Sequence, residues 1–216
     1  MKKIFVLFSF AFSIIACNDS ADHAAPMNDT SQHSAETTNE MHAPGSMGSM
    51  HKVMEDMMRN MKTLQPTGDP DHDFALLMKH HHQGALEMAK EEMQGGTDEK
   101  MKQMARKMAE DQQKDVAELE RYLENSKPSG NSDYGRKAMS MMTEQGSMKM
   151  ESGSLDAMFA SMMIPHHEDG IEMSEAYLKE GKNQDLKKLA QNIINVQKKE
   201  RDEMKKWLDE SKAAGR

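Results

Sequence analysis

Cysteine is nearly absent from this sequence, which has 216 residues and a single cysteine, Cys17. If that residue is modified, no thiol remains for a disulfide or for a thiolate metal site. A soft metal would then have to be bound by methionine and histidine, of which the chain has 25 and 10. Methionine also survives an oxidising compartment better than a thiolate does, although it can be converted to the sulfoxide.

The sequence also lacks three other features: an excess of basic residues, the alternation of polar and apolar residues typical of strands, and an apolar run long enough to span a membrane. The chain has 28 basic and 36 acidic residues and a formal net charge of -8. This charge argues against a nucleic-acid partner and is compatible with binding cations. No apolar run after position 16 is long enough to span a bilayer. With 37% hydrophobic and 30% charged residues, the composition fits a small helical bundle with solvated faces.

The first sixteen residues have the features of a lipoprotein signal peptide. Two lysines precede an apolar run at positions 4–15 that is too short to cross a membrane, and Ile-Ile-Ala-Cys at 14–17 matches a lipoprotein cleavage box. We therefore expect residues 1–16 to be removed and Cys17 to be lipidated. That lipid would anchor the protein in the cell envelope, on the periplasmic or the outer surface. The alternative is an ordinary signal peptide that leaves a free thiol.

Residues 17–49 form the next segment, which is rich in Ser, Thr, Asn, Asp, Ala and Gly and has almost no large aliphatic residues. This composition predicts a disordered tether. The segment also contains several histidines and methionines, such as His23, Met27, His33 and Met41. It could serve as a metal-collecting arm in addition to being a tether, and composition alone leaves this open.

One Met/His motif occurs twice, with every pair of equivalent residues 85 positions apart. The first copy contains Asp71, Phe74, Met78, His81, His82, Glu87 and Met88, and the second contains Asp156, Phe159, Met163, His166, His167, Glu172 and Met173. Residues 71–123 align without gaps onto residues 156–208, which indicates an internal duplication. We predict a first repeat at 50–123, a linker at 124–135 that contains Pro128 and two glycines, and a second repeat at 136–210.

The spacing within each copy predicts helices, because the motif residues recur every three or four positions. Gly95-Gly96 and Gly181 are predicted to end the first helix of each copy. Each copy then forms a helical hairpin, and two hairpins give an all-α, four-helix bundle. Shorter helices are predicted before each copy, around 50–64 and 136–145.

Methionine thioethers favour Cu(I), and imidazoles accept Cu(I) or Cu(II). The candidate metal ligands are Met78, His81, His82, Met88, Met163, His166, His167 and Met173. A second group, ranked lower, consists of His80, Met54, Met57, Met58, Met61, Met139 and Met142. The competing interpretation is that these residues only fill the core, for which methionine is well suited. Met101, Met104 and Met108 fit that interpretation better than they fit ligation. Whether the two motifs form separate sites or share one is open.

The pattern Phe-x3-Met-x2-His-His, at Phe74–His82 and Phe159–His167, resembles the bacterial family called domain of unknown function 305. This resemblance covers residues 50–208 and is closest in the second copy, since the first has Lys79-His80 where the second has Ile164-Pro165. The family is ferritin-like in fold and includes periplasmic copper-binding proteins. The resemblance therefore implies a ferritin-like four-helix bundle and a role in copper binding or resistance.

We expect a non-catalytic lipoprotein that sequesters copper at the envelope or passes it to an efflux component or a cuproenzyme. Copper would be its cofactor, preferentially as Cu(I) and alternatively as Cu(II), and silver a surrogate ion. No nucleic acid is expected as a partner, and membrane contact would be through the lipid anchor only. One alternative is a ferritin-like di-metal oxidase, but such sites need Glu-x2-His, which this sequence lacks. Another is a structural envelope lipoprotein without a metal.

Overall fold

The computed structural model describes residues 43–144 and 153–214, and these two ranges are all-α. Six helices follow one another: α1 Met47–Thr63, α2 Pro70–Gly95, α3 Glu99–Asn125, α4 Tyr134–Glu144, α5 Leu155–Glu180 and α6 Gln184–Ala213. The predicted all-α class is thereby confirmed. Helix α1 begins three residues earlier than expected, so positions 47–49 belong to it and not to the tether. The predicted signal peptide, Cys17 and the part of the predicted tether up to residue 42 lie outside the described residues.

The internal duplication is visible in the helix boundaries. Helices α2 and α5 begin 85 residues apart and also end 85 residues apart, and α3 and α6 begin with the same offset. Helix α3 packs along α2 and α6 packs along α5, which gives the two predicted hairpins. Helices α2 and α5 contact each other at the centre, whereas α3 and α6 barely touch. The four long helices thus form a bundle with α2 and α5 inside it.

Side-chain caps fix where the long helices begin. Asp69 Oδ1 accepts hydrogen bonds from the backbone N–H groups of Asp71 at 3.0 Å and His72 at 3.2 Å, with Pro70 in the first helical position. Asp98, Ser154 and Asn183 cap α3, α5 and α6 in the same way. These side chains satisfy backbone donors that have no partner within the helix.

Gly96 and Gly181 follow the ends of α2 and α5, as predicted, but for a different reason. Their φ angles are -62° and -65°, so neither residue adopts the left-handed conformation that favours glycine at helix ends. Instead, a Cβ at Gly96 would collide with the Glu92 carboxyl group, and one at Gly181 would collide with the Tyr177 ring. Glycine is needed at both positions because a side chain from the last turn of the preceding helix, Glu92 or Tyr177, lies directly against the glycine Cα.

The aspartate that begins each motif binds the other copy. Asp71 Oδ1 accepts hydrogen bonds from Tyr177 Oη at 2.6 Å, in the last turn of α5, and from the Lys182 N–H at 2.8 Å, just beyond the end of that helix. Asp156 Oδ1 accepts a hydrogen bond of 2.8 Å from the Thr97 N–H, just beyond the end of α2. These bonds hold α2 and α5 antiparallel, with the start of each against the end of the other.

Helices α1 and α4 lie against this central pair. The Glu91 carboxylate of α2 accepts hydrogen bonds from Ser49 Oγ and from the Gly45 N–H, which fixes the start of α1. Tyr134 Oη, at the start of α4, donates a 3.1 Å hydrogen bond to the Met173 carbonyl oxygen of α5. Both short helices bury methionines against the bundle. In the described parts of the chain, no helix has the length and apolar character needed to cross a membrane.

Candidate metal centre

His81 and His166 meet at the centre of the bundle, across the boundary between the two copies. Their rings stack with centroids 3.7 Å apart and planes within 6° of parallel. Both side chains are fully buried, and none of their four ring nitrogens has a hydrogen-bond partner. Burial disfavours the imidazolium form, and the neighbouring histidines add repulsion, so the pKa of each ring lies well below its ordinary value. Neutral imidazole is the form that binds metals.

His82 and His167 are oriented by carboxylates from the outer helices. His82 Nε2 lies 3.3 Å from Asp115 Oδ2, and His167 Nε2 lies 3.0 Å from Glu200 Oε2. In both rings Nδ1 has no hydrogen-bond partner. When Nε2–H donates to the carboxylate, Nδ1 carries the free lone pair, which is the arrangement that prepares a histidine for a metal.

Asp115 and Glu200 lie outside the Met/His motif and were not predicted, although the aligned sequence contains a signal for them. They lie 85 residues apart, and each follows its histidine by 33 positions. The sequence alone therefore shows an acidic residue at the same position in both copies. The duplicated acids noted from the sequence, such as Glu87 and Glu172, are exposed instead.

A polar cleft opens between α3 and α6, on the same side as His82. It has a volume of about 250 Å³ and is lined by His82, Met108, Asp111, Gln112, Lys114, Asp115, Asn192, Ile193, Val196, Gln197 and Glu200. Gln112 and Gln197 are buried there, and neither the oxygen nor the nitrogen of either amide has a hydrogen-bond partner. These polar groups border the space next to the carboxylate-bound histidines.

A methionine cavity lies on the opposite side, where α1 and α4 cover His81. Its lining consists of Met57, Met58, Met61, Lys62, His81, Met139, Met142 and Asp169. Its internal space of about 20 Å³ is enough for one body of the size of a water molecule. Five of the seven lower-ranked candidates thus surround one of the principal histidines. Met57 and Met142 also hold equivalent positions in the two copies.

The remaining candidates lie elsewhere. Met78, Met88, Met163 and Met173 are fully buried in the hydrophobic core, and so is Met54 to a slightly lesser degree. None of them lines the methionine cavity or the polar cleft. Met101 and Met108 are core residues, as expected. His80 is half-buried in a separate surface groove of α1 and α2, and burial together with nearby Lys79 lowers its pKa.

Asp169 is a site residue that the sequence did not indicate. It is buried, and its carboxyl lines the methionine cavity. Burial, with added repulsion from Glu172 and Glu168, raises its pKa to about 7. The duplication gives no hint of this role, because the equivalent residue in the first copy is Gly84.

Within residues 43–144 and 153–214, no group of three or more His, Cys, Asp or Glu side chains is arranged to hold an ion. Around His81 the cavity adds the Asp169 carboxyl and several thioethers, and thioethers are soft ligands that select Cu(I) over harder ions.

The sequence matches a known protein family, and the fold is similar to a solved structure. The family model described as "Domain of unknown function (DUF305)" matches residues 14–123 and again residues 124–214. No curated protein matches the chain. Among solved structures, the chain is similar to CopM in the Ag-bound form, obtained by soaking. The two are 25% identical with a TM-score of 0.52, over 68% of this chain and 98% of that one.

Proposed function

The chain belongs to the domain of unknown function 305 family, and from this premise we propose that it is a copper-binding protein of the cell envelope. It holds Cu(I) with buried histidines and methionine thioethers, and it either sequesters the ion or passes it on. The silver-bound state of the similar CopM structure supports this proposal, because Ag(I) is a soft monovalent ion like Cu(I).

The observation that carries the proposal is the stacked pair His81 and His166 beside the methionine cavity. Four imidazole nitrogens without partners are buried there, and leaving polar atoms buried and unsatisfied costs free energy. A bound metal ion would offset that cost. Neutral imidazoles and thioethers add no charge and are suited to Cu(I), so the ion could be held and later released.

The finer parts of this proposal concern location and partners. A lipid on Cys17 would keep the bundle at the envelope surface, with the segment up to residue 42 as its tether. The ion would pass to an efflux component or a cuproenzyme, and the protein itself would catalyse no reaction. What supports this is the cleavage box at 14–17 and the lack of a nucleophile–base pair in the sequence.

The proposal is tested by an anaerobic Cu(I) competition titration of the mature chain against a chromogenic chelator. The key variant is His81→Phe/His166→Phe, which keeps two flat rings in the core but removes all four nitrogens. His51→Ala is the matched control, since His51 is exposed on α1 and pairs with Glu55 at 3.2 Å.

We expect the native chain and the control to hold Cu(I) tightly and the double variant to lose that binding while remaining helical by circular dichroism. If the folded double variant binds Cu(I) as tightly as the native chain, the stacked histidines are not the site. Binding would then have to come from other methionines and histidines.

A further inference from the structure

Asp169 is a buried acid whose position in the fold requires an explanation. It lies on α5, two residues after His167, and only 6% of it is exposed. Its Oδ1 atom has no hydrogen-bond partner. The side chain lines the methionine cavity opposite thioethers from α1 and α4, together with His81. A carboxylate buried in these surroundings is unfavourable unless a positive charge balances it.

Within residues 43–144 and 153–214, no ion pair supplies a cation to this carboxylate. Lys62 also lines the cavity, but it is exposed, and within the described residues no ion pair joins it to Asp169. The charged neighbours on its own helix, Glu168 and Glu172, are also acidic and supply no balancing positive charge. The methionines and the neutral His81 contribute no charge.

The duplication supplies one carboxylate to this cavity and not two. Gly84 is the equivalent residue on α2, and the Met57 side chain lies directly against it. A Cβ at position 84 would collide with Met57 Sδ, so a longer acidic side chain is excluded there while that sulfur stays in place. The cavity therefore combines soft sulfur donors with a single negative charge.

We propose that Asp169 is the counter-charge for one soft monovalent cation, Cu(I) or Ag(I), held in the methionine cavity. This inference rests on the proposed function and adds the residue that selects the charge of the ion. One carboxylate neutralises a monovalent ion, whereas a divalent ion would keep a positive charge away from water, which is unfavourable. The internal space of about 20 Å³ fits a single ion.

The test compares Asp169→Asn with Glu172→Gln in the mature chain. Both variants lose one negative charge from α5, but Glu172 is exposed and Asp169 is buried. The probes are Ag(I) and, under anaerobic conditions, Cu(I), each in a competition titration. We expect Asp169→Asn to bind both ions about tenfold to a hundredfold more weakly, as for an opposite charge removed from a few ångströms away. Glu172→Gln should bind them at least as tightly as the native chain does, because it leaves the Asp169 carboxylate in place.

Thermal unfolding separates this role from a structural one. Without metal, Asp169→Asn should unfold at the same temperature as the native chain or a higher one, because it removes a buried unpaired acid. Added Ag(I) should raise the unfolding temperature of the native chain more than that of the variant, since ligands stabilise in proportion to their affinity.

Two results would overturn the inference. One is an Asp169→Asn variant that binds Ag(I) as tightly as Glu172→Gln; the other is a variant that is less stable than the native chain without metal. Neither result would contradict the proposed function. The proposed function fails only if the native chain does not bind Cu(I) or if His81→Phe/His166→Phe binds it normally.

Discussion

The hydroxyl group of Tyr177 donates a 2.6 Å hydrogen bond to Asp71 Oδ1, and the duplication replaces this tyrosine with Glu92 in the first copy. Glu92 is fully buried and lies beside Asp156, the equivalent of Asp71. Burial and the Asp156 carboxylate raise the pKa of Glu92 to about 8. At neutral pH Glu92 is therefore largely protonated, and it can donate to Asp156 as Tyr177 donates to Asp71.

Because of the contact between Glu92 and Asp156, we expect the stability of the folded protein to depend on pH. The folded-state pKa of Glu92, about 8, lies above its ordinary value of 4.5. The stability that the protonated form contributes is therefore fully present below pH 4.5 and is lost as pH rises through 8. Glu92→Gln keeps a neutral donor, so its unfolding temperature should fall less than that of the native chain between pH 5 and pH 9. The difference at alkaline pH should be about 1–3 kcal/mol, as for a buried group without its partner.

The measurement is thermal unfolding across that pH range, with Glu87→Gln as the control. Glu87 is exposed on the same helix, so its variant should follow the native curve. Parallel curves for the native chain and Glu92→Gln would show that Glu92 is ionised in the fold at both ends of the range.

We expect a packing defect when Gly84 is replaced by any residue that has a side chain. Gly84→Ala would place its Cβ against Met57 Sδ, in a notch that α1 fills on the surface of α2. We expect the variant to lose about 1–3 kcal/mol of stability, the usual range for overpacking. It should also bind Cu(I) more weakly, because Met57 lines the methionine cavity.

The control for this prediction is Gly153→Ala, since an added Cβ at Gly153 would have nothing within 4 Å. Both glycines are replaced by the same residue, and chemical denaturation compares their free energies of unfolding. Equal values would mean that α1 shifts at little cost to admit the methyl group.

The fold could be predicted from the sequence because the chain contains an internal duplication. The 85-residue offset and the helical spacing placed α2 and α5 within a few residues of their observed limits, and the glycines at 96 and 181 marked their ends. The same offset relates Met57 to Met142, which were predicted as lower-ranked ligands. It also relates Asp115 to Glu200, which lie outside the Met/His motif and were not predicted.

The partner of His81 could not have been read from the sequence in the same way. Adjacent residues on a helix point in different directions, so His81 and His82 face different sides of α2. His81 stacks on His166, and His82 turns to Asp115. The antiparallel crossing of α2 and α5 brings His81 to His166, and the placement of α1 and α4 over it depends on tertiary contacts such as that of Tyr134 with Met173.

Asp115 and Glu200 should tune metal binding through the histidines they orient. Asp115→Asn/Glu200→Gln keeps the shape of both side chains but weakens their hold on His82 and His167. Loss of such a partner usually lowers metal affinity about tenfold to a hundredfold. If these histidines bind the ion, Cu(I) affinity should fall by that factor in the competition titration.

The control here is Asp111→Asn, which lies one turn before Asp115 and pairs with Lys107 and Lys114 and not with a histidine. It should bind Cu(I) normally. Normal binding by the double variant as well would restrict the site to His81, His166 and the methionines around them.

Replacing the cavity methionines and replacing the motif methionines should affect Cu(I) affinity differently. The comparison shows which of the two groups ligates the ion. Met57→Leu/Met142→Leu removes two sulfurs that line the methionine cavity, and Met78→Leu/Met163→Leu removes two from the motif, which are buried in the core. Leucine nearly conserves volume, so each change should cost less than about 1.5 kcal/mol of stability. We expect the cavity variant to lose Cu(I) affinity and the motif variant to keep it. The reverse result in the competition titration would mean that the motif methionines ligate the ion and that those of α1 and α4 only pack.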